Sequence, residues 1–104
     1  MAKFRIIEFS RMASAAGIGH TQESAQIPMY PPVATQSPIS ISGTSQQSAA
    51  INASTRFVLI ETDGACHFAV GENPTATTNN ERMAADASRF IGVTAGHKIA
   101  VIAA

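Results

Sequence analysis

The stretch RFVLIETDGACHFAV, Arg56 to Val70, decides how the rest of the chain is read. Two apolar runs flank Asp63-Gly64. A two-residue turn with both φ angles positive matches the twist of paired strands, and Asp-Gly adopts it at little cost. The pattern predicts an antiparallel hairpin, 56–62 with 65–70. Arg56-Phe57-Val58-Leu59-Ile60 is apolar on both faces of such a strand. Both faces are therefore expected to be covered, and a partner chain is one candidate for the second cover.

Outward from this hairpin the same rhythm continues. ISIS (39–42), QSAAIN (47–52), SRFIGV (88–93) and HKIAVIA (97–103) are further strand candidates, separated by Gly, Asn, Asp or Pro. Ala95-Gly96, completed by Thr94, predicts a turn between the last two. Short strands spaced roughly ten residues apart argue for a sandwich or barrel. No segment carries a long 3.6-residue period, which argues against crossover helices. The predicted fold is all-β: a small antiparallel β-sandwich or jelly-roll over residues 39–104.

Residues 1–38 read differently. KFRIIEF (3–9) suggests a short strand without clean alternation, and 10–24 are small and polar, predicting irregular structure. Pro28, Pro31, Pro32 and Pro38 each remove a backbone donor and bias the preceding residue towards extended geometry. The segment is expected to be an extended arm, separable from the domain. It either lies over a neighbouring subunit or folds back on its own domain. The loop GENPTATTNNE (71–81) also has two readings. Its Thr and Asn side chains can cap their own backbone, or they can hydrogen-bond a partner surface.

Composition narrows the function classes. Seven basic and seven acidic residues balance, and charged residues make up 13% of the chain, against about 25% in an ordinary soluble domain. No basic patch is supplied for nucleic acid. Weakly charged surfaces resist association poorly, which suits a chain that sits in an assembly. Cys66 is alone and cannot form an intrachain disulfide. The first twenty residues lack the apolar core of a signal peptide, and no apolar run is long enough to span a bilayer as a helix. The expected place of synthesis is a reducing cytoplasm.

Reactive groups are scarce. Cys66 and His67 are strand neighbours and point to opposite faces, so they form no nucleophile–base pair. Cys66 is expected to be a small buried apolar residue. His20, His67 and His97 have no recognised metal-ligand spacing. Gly17-Ile18-Gly19-His20 lacks the third glycine of a phosphate-binding loop. With no Trp and one Tyr, a stacking platform for bases or sugars is poorly supplied. The residue inventory predicts no catalytic site, no metal and no cofactor.

Between Ser45 and Val101 the chain resembles small virion structural proteins of tailed bacteriophages. The residues carrying the likeness are Ser48-Ala49-Ala50-Ile51-Asn52-Ala53-Ser54-Thr55, Thr62-Asp63-Gly64-Ala65-Cys66-His67-Phe68-Ala69-Val70-Gly71, Asn73-Pro74-Thr75-Ala76-Thr77 and Gly96-His97-Lys98-Ile99-Ala100-Val101-Ile102. Residues 1–44 take no part in it. The resemblance implies a capsid decoration or cement protein on the outer surface of a phage head. Such a protein bridges capsomers and binds the major capsid protein and its own copies, often as a homotrimer. A head–tail connector or tail component is an alternative, as is a glycan-binding β-sandwich module. The expected contact residues are Ile27, Met29 and Tyr30 in the arm and Asn73, Thr75, Thr77 and Asn79 in the loop.

Overall fold

The computed structural model describes residues 2–15 and 25–104. These form eleven strands and no helix: β1 (Lys3–Phe9), β2 (Met12–Ala15), β3 (Ala25–Pro28), β4 (Ala34–Thr35), β5 (Ile39–Ser40), β6 (Gln46–Gln47), β7 (Phe57–Thr62), β8 (Cys66–Gly71), β9 (Glu81–Met83), β10 (Ser88–Gly92) and β11 (Lys98–Ala103). One antiparallel sheet runs β10-β7-β1-β4, with β5 beside β4 on the same edge of β1; the other runs β6-β11-β8-β9. Their facing sides make one core. Phe4, Ile6, Val58 and Ile60 come from the first sheet; Cys66, Phe68, Met83, Ile99 and Val101 come from the second. The fold is thus the all-β sandwich that the strand rhythm predicts.

The Asp63-Gly64 hairpin does not form. β7 pairs with β1 and β10, whereas β8 lies in the opposite sheet between β11 and β9. The mirror-image turn needs positive φ at both central residues, and neither Asp63 nor Gly64 has it. Instead Asp63 prolongs the β7–β1 ladder, its N–H donating to the Lys3 carbonyl at 3.0 Å. The Arg5 guanidinium donates to its carboxylate at 2.9 Å. The chain then crosses to the second sheet. Glycine is needed at 64 for close approach: a Cβ there would stand 2.8 Å from the Ala2 Cβ. Gly64→Ala is therefore expected to cost about 1–3 kcal/mol from overpacking. Ala2→Gly in the same chain should recover part of that cost, as read by a double-mutant cycle in urea. The Ala95-Gly96 turn does form, with Gly96 at φ 83° and the His97 N–H donating to the Thr94 carbonyl. It too joins opposite sheets.

The arm boundary at residue 38 also shifts. β1 lies inside the five-stranded sheet, with Phe4, Ile6 and Phe9 fully buried, and β4 and β5 close its edge. The alternation hidden in KFRIIEF places Phe4, Ile6 and Glu8 on the core side. Residues 1–38 are therefore not a separable arm, because removing them would take out a central strand. What stands outside the sandwich is a two-stranded hairpin, β2 with β3, in register Met12↔Pro28. QSAAIN is strand only at Gln47. Beyond it Ile51 still bonds to residues 96 and 97 at the β11 end, but Ala49 turns its N–H to the Gln36 side chain.

Candidate functional site

β1, β7 and β10 each alternate, so their second set of side chains lies on the outer side of the five-stranded sheet. Ile7 and Phe9 on β1 oppose Leu59 and Phe57 on β7, and Leu59 in turn opposes Phe90 on β10. Phe9 stacks on Phe57 with ring centroids 5.2 Å apart, Phe57 meets Phe90 edge-on at 5.9 Å, and Tyr30 meets Phe9 edge-on at 5.4 Å. These offset and edge-to-face geometries are the ones aromatic quadrupoles favour. Phe9 is fully buried beneath this cover, but Tyr30 is 64% and Phe90 46% exposed. Ile27 on the hairpin is 52% exposed. The outer face of β7 is thus apolar, as its sequence indicates, and within the described chain it is only half-buried.

Charged side chains gather at one end of this face. Arg5 opposes Glu61 and bonds Asp63, and Glu61, Asp63, Asp86 and Ser88 with Thr62 line an open depression of about 180 Å³. No histidine or cysteine lines it, and Arg5 engages the Asp63 carboxylate. The Arg5 hydrogen bond holds the Asp63 carboxyl below the usual carboxylate range. A folded chain that binds this proton less readily than the unfolded one is stabilised above the ordinary Asp value, and it loses that share as pH falls through the lower folded value. Stability is therefore expected to decline below about pH 4. Asp63→Asn should remove this part of the acid dependence in denaturant midpoints measured across the acid range. The effect is small and weakened by salt, because the pair is exposed.

A second polar constellation lies in the core. Glu8 is 2% exposed, and its carboxylate accepts from the Asn52 N–H at 2.8 Å, the Thr55 hydroxyl at 2.7 Å and Gln36 Nε2 at 3.1 Å. Gln36 Oε1 in turn accepts from the Ala49 N–H. The cluster ties β1 to the chain leading from β4 and to the loop before β7. Every oxygen of this carboxylate is occupied, so it offers a clasp rather than a free acid. The signal was present in the period-two pattern, which puts Glu8 on the face of Phe4 and Ile6.

The sequence-predicted residues fall into two groups. Tyr30 joins the aromatic face, Ile27 stands exposed beside the chain leading to it, and Met29 is half-buried with its N–H donating to the Arg11 carbonyl. Asn73, Thr75, Thr77 and Asn79 are exposed in the loop after β8, in the other sheet's half of the molecule. That loop is largely self-capped. Asn73 accepts from Gln47 Nε2, the Asn80 side chain receives the Thr77 N–H and hydroxyl, and the Asn79 N–H donates to the Thr77 hydroxyl. Phe9, Phe57 and Phe90 were not singled out from sequence. Cys66 is fully buried, and burial pushes its thiol pKa up. His67 donates from Nδ1 to the Asn80 carbonyl. His20 lies outside the described residues. Among the described residues no three His, Cys, Asp or Glu side chains gather as metal ligands, and no helix is long and apolar enough to cross a membrane. Searches of family models, curated proteins and solved structures find no match to this chain.

Proposed function

We propose that this chain is a non-enzymatic structural module that docks on a larger protein surface through the outer face of its five-stranded sheet. The setting is the outer shell of a tailed-phage head, where it acts as a decoration protein bridging capsomers. The observation carrying this reading is the aromatic face itself: Tyr30 and Phe90 stand in solvent above a stacked Phe9–Phe57 pair. Contiguous exposed apolar surface on a small domain marks an interaction site. Aromatic side chains are favoured interface anchors, because they bring large contact area at small entropic cost. The low charge of the chain suits a static contact with a protein lattice, where many copies turn weak single contacts into tight binding. The virion setting rests on the resemblance in residues 45–101 and on the same scarcity of reactive groups.

The test is co-sedimentation of the purified chain with empty tailed-phage heads. Wild type should pellet with the shells, and Tyr30→Ala with Ile27→Ser should stay in the supernatant while keeping its circular dichroism spectrum. Equal pelleting of the two proteins would remove the aromatic face from the contact. No pelleting of wild type would remove the capsid as partner.

A further inference from the structure

We infer that β10 is a self-pairing edge, at which two copies join antiparallel about a twofold axis centred on Phe90. The other edges of the sandwich are blunted. β4 and β5 have two residues each with Pro38 between them, β6 has two, and β9 has three with Glu81 and Arg82 exposed. Natural sheets protect their edges in these ways because unpaired backbone groups recruit other strands. β10 is longer, SRFIG over Ser88–Gly92, and has no proline. Its one charged side chain, Arg89, is ion-paired to Glu81 and lies over the Phe68 ring.

The backbone register shows what this edge can accept. The Thr62 N–H donates to the Ala87 carbonyl and the Val93 N–H to the Arg56 carbonyl. Residues 87, 89, 91 and 93 therefore face β7, and by strand alternation Ser88, Phe90 and Gly92 turn their N–H and C=O groups to the side where, among the described residues, no strand pairs. Those three residues are exposed, and nothing comes within 4 Å of a Cβ built on Gly92. An antiparallel copy in register Phe90↔Phe90 and Ser88↔Gly92 satisfies all of these groups at once. The arrangement is its own complement, as a twofold contact requires. The axis runs perpendicular to the sheet, so both aromatic faces stay on one side and merge across the join. Phe90 meets its counterpart as a cross-strand aromatic pair. The dimer presents a doubled apolar face, whereas the sequence resemblance implies a threefold arrangement.

Light scattering on the full chain at rising concentration should give twice the 10.8 kDa mass. Single cysteines at 88, 90 and 92 test the register under mild oxidation. Opposed residues in a hydrogen-bonded pair have Cα atoms about 5.5 Å apart, within disulfide reach. Two copies of residue 88, offset by four positions, lie about 13 Å apart along the strands. Phe90→Cys should cross-link at least tenfold faster than Ser88→Cys or Gly92→Cys, with buried Cys66 silent in wild type. Phe90→Lys and Phe90→Glu should each be monomeric and should recover the doubled mass when mixed. A monomer up to several hundred micromolar, a threefold mass, or equal cross-linking at the three positions would overturn the inference. A monomer that still pellets with phage heads would do so while leaving the docking face in place.

Discussion

Glu8→Ala is expected to lower the unfolding free energy by about 2–4 kcal/mol, the cost of leaving hydrogen-bond donors inside the protein without their acceptor. The Asn52 N–H and the Thr55 hydroxyl would lose their acceptor inside the protein, and Gln36 would lose one of the bonds that place it. The buried Thr55 hydroxyl left alone costs about 1–3 kcal/mol, and the part-buried Asn52 N–H adds less, because water can reach it. The total is a large fraction of the margin of a small domain, about 5–15 kcal/mol. Glu8→Gln keeps an acceptor for Asn52 and Thr55 but turns an amide donor towards Gln36 Nε2. Gln36 cannot reverse freely, because its oxygen already accepts from Ala49. That variant should lose about 1–2 kcal/mol, roughly one hydrogen bond. Urea titrations of the three proteins give the comparison. A Glu8→Ala loss no larger than that of Glu8→Gln would show that the carboxylate is not the clasp.

The second large effect is expected at Phe9. It lies on the outer side of β1 yet is fully buried, because Tyr30, Phe57 and Phe90 roof it over. Phe9→Ala removes the ring under that roof and should cost about 3–5 kcal/mol, as large-to-small substitutions of buried aromatics do. Tyr30→Ala removes only an exposed edge-on contact, and about 0.5–1.5 kcal/mol should go with it. The pair separates two roles within one cluster: Phe9 holds the face together, and Tyr30 is the part a partner would touch. Thermal melts followed at the aromatic bands would read both, and similar losses for the two would contradict the division.

The fold class was legible because strand rhythm is a local property: alternation and turn residues recur about every ten positions whatever the strands pair with. Pairing is not local, and there the reading failed. Asp63-Gly64 favours a hairpin turn, but the β7–β1 ladder runs on through Asp63 and needs Gly64 only for its closeness to Ala2. Prolines after residue 27 suggested an arm, yet Pro31, Pro32 and Pro38 only flank β4 and β5, two short strands that pair with β1 at the sheet edge. β9 escaped notice because three residues carry no period. Of the contact residues, Tyr30 was legible as a lone tyrosine in a Pro-rich stretch. Its companions Phe9, Phe57 and Phe90 looked like core, since only the sheet order shows that, among the described residues, no second sheet covers that side of β7.

The sheet crossings have a kinetic consequence. β1 must wait for β7, about fifty positions away, and β8 cannot take its place in the second sheet until β11 has left the ribosome. Among the strands of the sandwich, only β8 and β9 are both consecutive in the chain and paired with each other. Such high contact order slows the search for the native topology to milliseconds or longer. During that interval a nascent chain carries its apolar strands unpaired, so crowding in a synthesising cell would test this polypeptide before any partner does.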